Sequence, residues 1–524
     1  MSYPWLTTCL VVPLVGSAAV ALLPRRSGTT LPKRVALGFT LLTLVCTLAT
    51  WTQFATHGAS ANGVALGVPP RFQLTERHDW ITAFGASYAV GVDGIGLTLL
   101  LLTSILTPVV VLASWHDGDD GRWSTHAFFA WMLFLETLAI GVFIATDVFL
   151  FYVLFEATLI PIYFLIGGYG GPNRAYAAVK FLIYNLAGGL VMLASVIGLY
   201  VVSAKQASGP SYLFGDLAGL HLSTDTGRWL FLGFFIAFAV KAPLWPLHTW
   251  LPDAADEASP GTAVLMVAIL DKIGTFGMIR FCLGLFPEAS RWATPVVLVL
   301  AVIGILYGAL AAIAQNNMVR LISYTSVSHF GFIILGIFVM NSYGQVGSSL
   351  YMFNHGLSTA ALFLVTGFLI KRRGSKLISD YGGVEKVAPV LAGILLVVGL
   401  SSLSLPGLSP FISEFLVLVG AFTHDWGFAV FAVLGIVLAA LYILLMYQRM
   451  MTGPTRPELL GLKDLNLREI GALAPLVALI VALGFFPKPL TDIINPAVAS
   501  TLQHVGATDP KPATPAAASE GLQP

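Results

Sequence analysis

Charge is what this sequence has least of. Asp, Glu, Lys and Arg supply 10% of its 524 residues, while apolar types supply 57%; a water-soluble domain carries about 25% charged residues. Such a chain cannot face water over its whole surface. Cysteine is nearly absent too. Cys9, Cys46 and Cys282 are scattered in apolar surroundings without a C-x-x-C spacing, which speaks against a zinc, iron–sulfur or c-type haem site. The net charge is +1, so neither a basic stripe for nucleic acid nor an acidic tail for a charged partner is present. Residues 1–23 lack a basic segment ahead of their apolar run. They read as a membrane span, not a cleaved signal peptide.

What the chain does have is apolar runs of about 20 residues, each long enough to cross roughly 30 Å of hydrocarbon. The expected fold is an all-α polytopic membrane protein, with the lipid bilayer as its solvent. About fourteen spans are expected, near 4–24, 33–53, 91–114, 127–145, 148–168, 180–203, 229–250, 260–285, 294–314, 320–340, 348–370, 388–423, 426–450 and 469–487. The seventh carries Pro243 and Pro246, and the twelfth Pro406 and Pro410. Proline deletes a backbone hydrogen bond and clashes with the preceding turn, so both spans should be broken. In lipid, such breaks survive only where protein or a water-filled cavity surrounds them. Residues 54–90 and 204–228 read as long loops, and 499–524, rich in Ala, Pro and Thr, as a disordered tail.

Basic residues orient the chain. Loops after odd-numbered spans hold 17 Lys and Arg, those after even-numbered spans, with the tail, hold 8, and Lys241 and Lys272 lie inside spans. The positive-inside rule then puts odd loops in the cytoplasm and both termini on the outer side.

The rare buried charges are spaced regularly. Glu156 precedes Lys241 by 85 positions, and His329 precedes Glu414 by 85. In each pair the first residue lies in an apparently unbroken span and the second in a proline-broken one. Spans 4–8 and 9–13 therefore read as two five-helix repeats, inverted because five is odd; matched broken helices in inverted repeats mark transporters. The expected organisation is 1–114 for three N-terminal spans, 115–285 and 286–450 for the repeats, 451–498 for the fourteenth span region, then the tail.

A charge at the bilayer centre costs about 2.5–3.5 kcal/mol on insertion scales. Glu156, Lys241, Lys272, His329 and Glu414 should therefore pair, neutralise or line water. A lysine beside a carboxylate holds its proton and releases it when the carboxylate withdraws; an arginine would never let go. A histidine titrates near neutral pH and suits the middle of a relay. Glu414 follows the break of span twelve, where unsatisfied backbone groups attract water and ions. Glu136, Asp147, His248 and His355 are secondary candidates, and Asp147 reads equally well as a helix cap. A static buried ion pair and a hydrogen-bonded core histidine are the plainer alternatives.

The strings around these residues are FEATLIPIYFLIGGYG, VKAPLWPLHTWLPDA, DKIGTFGMIRF, ISYTSVSHFGF, NHGLSTAALF and LPGLSPFISEF. From about residue 90 to 450 the chain resembles the antiporter-like subunit M family (subunit 4 in mitochondria) of NADH–quinone oxidoreductase, respiratory complex I. The resemblance implies proton translocation through Glu156, Lys241, Lys272, His329 and Glu414, driven by redox chemistry elsewhere. It implies no cofactor in this chain; FMN, iron–sulfur clusters and quinone are expected in partner subunits. Neighbouring membrane subunits, chains L and N, are the expected partners. Residue usage points to a bacterial plasma membrane. One departure stands out: the family often has an apolar residue where Asp271 is. The alternative is a large subunit of a multi-chain Na+/H+ antiporter, which shares this fold and lacks redox coupling.

Overall fold

The computed structural model describes residues 3–24, 26, 28–60, 72–119, 121–205 and 209–509. Residues 61–71 of the expected first long loop, and the expected disordered tail from 510 onward, lie outside the described residues.

Helices dominate, and twelve among the described residues are long and apolar enough to cross a membrane. In chain order the helices are α1 (Trp5–Leu22), α2 (Thr30–Ser60), α3 (Gly94–Ala113), α4 (Thr125–Ile144), α5 (Val148–Tyr169), α6 (Arg174–Ser203), α7 (Thr224–Lys241), α8 (Trp250–Glu257), α9 (Pro260–Leu283), α10 (Pro287–Ile313), α11 (Met318–Phe338), α12 (Ser342–Arg373), α13 (Pro389–Ser402), α14 (Ser409–His424), α15 (Trp426–Met451), α16 (Leu467–Phe485) and α17 (Lys488–Val505). The two spans expected to be broken are each in two pieces, α7 with α8 and α13 with α14, separated at the proline-bearing stretches. Other caps follow ordinary chemistry. Asp93, Ser124, Asn317 and Asn341 each accept a backbone N–H in the first turn of the following helix, satisfying donors that a helix start leaves over.

The layering is uneven. The apolar window of α9 is 100% buried, and those of α11 and α12 are 94% buried, whereas α1, α2, α15 and α16 are about one-third buried or less. The central helices are thus shielded from lipid by the outer ones. α7 and α12 pack on α9 from two sides, and α11 and α14 pack on α12. The outer helices show large apolar side chains to the surroundings, among them Val45, Ile183, Leu190, Val437 and Leu441.

Two departures from the sequence reading appear. The fold is mostly helical, but β1 (Gln73–Ile81) and β2 (Ala86–Val92) form an antiparallel hairpin inside what read as a loop. Charges and a glycine hid it. Gly85, at φ +71°, makes the turn, and only glycine adopts that backbone freely. The β1 carboxylate Glu76 caps the start of α1, accepting from Leu6 N at 3.0 Å. Second, helix continues into the segment read as disordered. α17 ends at Val505, with Leu490, Ile494, Ala497, Val498, Thr501, Leu502 and Val505 buried along one face. That face packs on α3 and α12, and Arg291 donates to the Val505 carbonyl at 2.9 Å. Composition concealed a helical period of apolar positions.

Candidate functional site

The five principal candidates all sit on or against the shielded central helices. Glu156 is the last residue but one in the first half of α5, Val148–Ala157. Pro161 has no N–H to offer one turn back, and the helix steps at Thr158. The Glu156 side chain faces α6 at Gly189, where a Cβ would overlap Oε1. Glycine is required there because the carboxylate fills the space. Oε1 is buried without a hydrogen-bond partner among the described residues.

Lys241 is the last residue of α7, just before the proline break, and is 1% exposed. Its Nζ donates to Thr158 Oγ1 at 3.2 Å and lies 5.0 Å from the centroid of the Phe155 ring. The step in α5 therefore places both a carboxylate and a hydroxyl near one ammonium. Glu156 and Lys241 interact through space but form no direct ion pair within 4.0 Å among the described residues.

Lys272 lies in α9 between two wide-turn π stretches, Leu265–Leu270 and Met278–Leu283. Such turns are rare and frequent at functional sites. Its Nζ donates to the Val267 carbonyl at 2.8 Å and meets His355 Nδ1 at 2.7 Å. With Lys272 as the ammonium, which only donates, the His355 nitrogen accepts. The Phe330 ring centroid lies 5.0 Å away. His355, on α12, stands edge-on to His329 of α11 with centroids 5.2 Å apart, and His329 lies 5.9 Å from the Tyr351 ring. Glu414, on α14, lies beside Tyr351 and Ser404. Five buried groups, Lys272, His355, His329, Tyr351 and Glu414, thus succeed one another across α9, α12, α11 and α14.

The other candidates stand apart from this row. Glu136, buried on α4, lies beside Thr107, and neither of its oxygens has a hydrogen-bond partner among the described residues. Asp147 is a helix cap: Oδ1 accepts from Phe149 and Leu150 N, each at 2.9 Å, and Oδ2 from Ser87 N at 3.0 Å. His248, in the turn between α7 and α8, is 2% exposed and lies 5.0 Å from the Tyr307 ring. Beyond it, Asp253 of α8 binds both Lys180 of α6 and Arg320 of α11 at 2.6 Å.

Tyr351, Thr158 and Gly189 have no place in the sequence reading, and Asp271 has one only as an oddity. A tyrosine and a threonine in apolar helices carry no signal until their neighbours are known. Asp271 is fully buried, with neither oxygen hydrogen-bonded among the described residues.

The family described as NADH:quinone oxidoreductase/Mrp antiporter, TM, matches residues 145–439. The chain is 50% identical to NADH-quinone oxidoreductase subunit M of Mycobacterium tuberculosis (strain ATCC 25618 / H37Rv), covering 97% of this chain and 96% of that one. It is 36% identical to the subunit M of Escherichia coli (strain K12), over 96% and 98%. Among solved structures, a chain of respiratory complex I from Thermus thermophilus with bound NADH superposes with a TM-score of 0.85 at 30% identity, covering 96% of this chain and 100% of that one. A chain of the Mrp complex from Dietzia sp. DQ12-45-1b reaches 0.82 at 20% identity, with the same coverage.

Proposed function

We infer the activity from one premise: this chain belongs to the subunit M family of NADH-quinone oxidoreductase. It is an antiporter-like transmembrane subunit of that complex, respiratory complex I, and translocates protons as part of its membrane arm. Other subunits of the complex are its partners. The likeness to the Mrp chain, at 20% identity, speaks to the fold alone. Identity of 50% over 97% of the chain favours the oxidoreductase over the stand-alone Na+/H+ antiporter.

The route we assign runs from Glu156 and Lys241 to Lys272, then through His355 and His329 to Glu414. The observation that carries it is the 2.7 Å contact between Lys272 and His355, a donor–acceptor pair joining α9 to α12. When the Glu156 carboxylate is near, Lys241 keeps its proton; when it is neutralised or withdrawn, the ammonium loses its compensation in a dry site and the proton leaves. Lys272 hands a proton to the accepting nitrogen of His355, and the edge-on ring of His329 carries it toward Glu414. Thr158 holds the Lys241 ammonium in place between transfers.

Fourteen crossings with two inverted five-helix repeats accommodate this route, the broken pairs α7–α8 and α13–α14 making the seventh and twelfth. Ion pairs between helix ends and the connection after α3 support the alternation. Lys33, after the first span, binds Asp119, after the third, at 2.7 Å, and Lys371, after the eleventh, pairs with Asp117. These positions all follow odd-numbered spans, and we read their shared side as the cytoplasm, with both termini outside, from the excess of Lys and Arg in the odd-numbered loops. FMN, iron–sulfur clusters and the quinone belong in this reading to other subunits. Chains L and N are the neighbours, in a bacterial plasma membrane, as the bacterial relatives favour.

The test is Glu156→Ala and Lys241→Ala in the assembled complex. Both should abolish NADH-driven acidification of membrane vesicles while NADH–ferricyanide reduction persists. Normal acidification in both variants would sink the relay.

A further inference from the structure

The dipeptide Asp271-Lys272 occupies the middle of α9, the helix whose apolar window is buried throughout. Adjacent residues on a helix point about 100° apart, so the two charges address different neighbours. Lys272 turns to α12, where Nζ meets His355. The other direction is marked by Gly274. A Cβ there would come within 2.6 Å of Ala242 N and of the Phe238 carbonyl, so this face of α9 presses on the C-terminal end of α7. Asp271 lies three residues before Gly274 and shares its face. Lys241 is the residue before Ala242. Asp271 is 0% exposed, and both its oxygens lack a hydrogen-bond partner among the described residues. The ammonium groups whose charge reaches it are those of Lys272 and Lys241. A buried carboxyl group used only for packing would be replaced by an apolar side chain at no loss of stability.

We propose that Asp271 is a proton-carrying residue that links Lys241 to Lys272, joining the Glu156–Lys241 end of the route to its Lys272–His355 end. The proposal rests on the translocation reading above. In the first transfer the Lys241 ammonium loses a proton to the Asp271 carboxylate: an N–H bond breaks, an O–H bond forms, and a neutral amine and a carboxylic acid result. In the second, the acid gives a proton to the Lys272 amine, which becomes the ammonium, and the carboxylate is restored. One proton arrives, one departs, and no electron moves. The direction reverses without change of parts.

The experiment uses the complete complex in membrane vesicles, with Asp271→Asn, Asp271→Leu and Asp271→Glu. Asn keeps the shape and cannot take up the proton; Leu fills the site with an apolar side chain and keeps the test open should Asn fail to assemble. Both should lower NADH-driven acidification at least about tenfold, with NADH–ferricyanide reduction and the amount of assembled complex unchanged. Asp271→Glu should recover most of the rate. Wild-type acidification in the Asn or the Leu variant overturns the proposal, and so does a Glu variant as impaired as the Leu variant. Wild-type pumping in Asp271→Asn beside an inactive Lys272→Ala removes this link alone. Wild-type pumping in Lys241→Ala and Lys272→Ala as well removes the translocation route itself.

Discussion

Replacing Gly189 by alanine adds one methyl group and no charge, yet it should slow proton transfer. The new Cβ would overlap Glu156 Oε1. To regain van der Waals distance the carboxylate must retreat by roughly 2 Å. If the carboxylate–ammonium separation grows from about 5 to about 7 Å at an effective dielectric of about 20, the attraction falls from about 3.3 to about 2.4 kcal/mol. The loss of about 1 kcal/mol corresponds to about a fivefold drop in the preference of Lys241 for its charged form. NADH-driven acidification of vesicles carrying Gly189→Ala should slow by a factor of that order, with NADH–ferricyanide reduction unchanged as the measure of intact complex. Acidification at the wild-type rate, in a complex assembled to the wild-type level, would refute the claim that the position of Glu156 governs Lys241.

Three further outcomes follow from the same geometry. Glu156→Ala and Lys241→Ala should each stop acidification outright, a larger effect than Gly189→Ala because a partner is removed, not displaced. Glu414→Gln should impair pumping and Glu414→Asp should not, since only the latter can still release a proton beside Tyr351 and Ser404; full activity in the Gln variant would place the exit group elsewhere. Asp147→Ala removes two backbone hydrogen bonds at the start of α5 and one from Ser87 of β2, so it should destabilise by about 1–2 kcal/mol. Less complex should then assemble while each assembled copy pumps normally, and a normal yield with lost pumping would show a role in transfer instead.

Much of the scaffold was readable along the chain because its physics is one-dimensional. A run of apolar residues long enough to cross hydrocarbon needs no tertiary knowledge to recognise, and Pro243, Pro246, Pro406 and Pro410 interrupt backbone hydrogen bonding wherever they stand. The hairpin at Gln73–Ile81 and Ala86–Val92 was obscured because its first strand is largely polar and charged, and a two-stranded pairing depends on register between segments. The helix Lys488–Val505 was obscured differently: its apolar spacing is regular, but its last turns from residue 499 run into a segment, 499–524, whose overall composition is rich in Ala, Pro and Thr.

The sequence by itself determined that charges would be few, costly and confined to particular spans, and it named Glu156, Lys241, Lys272, His329 and Glu414 among them. It could not say which atoms meet. A helix turns about 100° per residue, so direction depends on every wide turn and step before a side chain. The π stretches of α9, the step at Thr158 and the bare surface of Gly189 are such features. Only the tertiary structure decided that Lys272 Nζ meets His355 Nδ1, that Asp147 caps the start of α5, and that Asp271, beside Lys272 in the chain, is buried with neither oxygen hydrogen-bonded among the described residues.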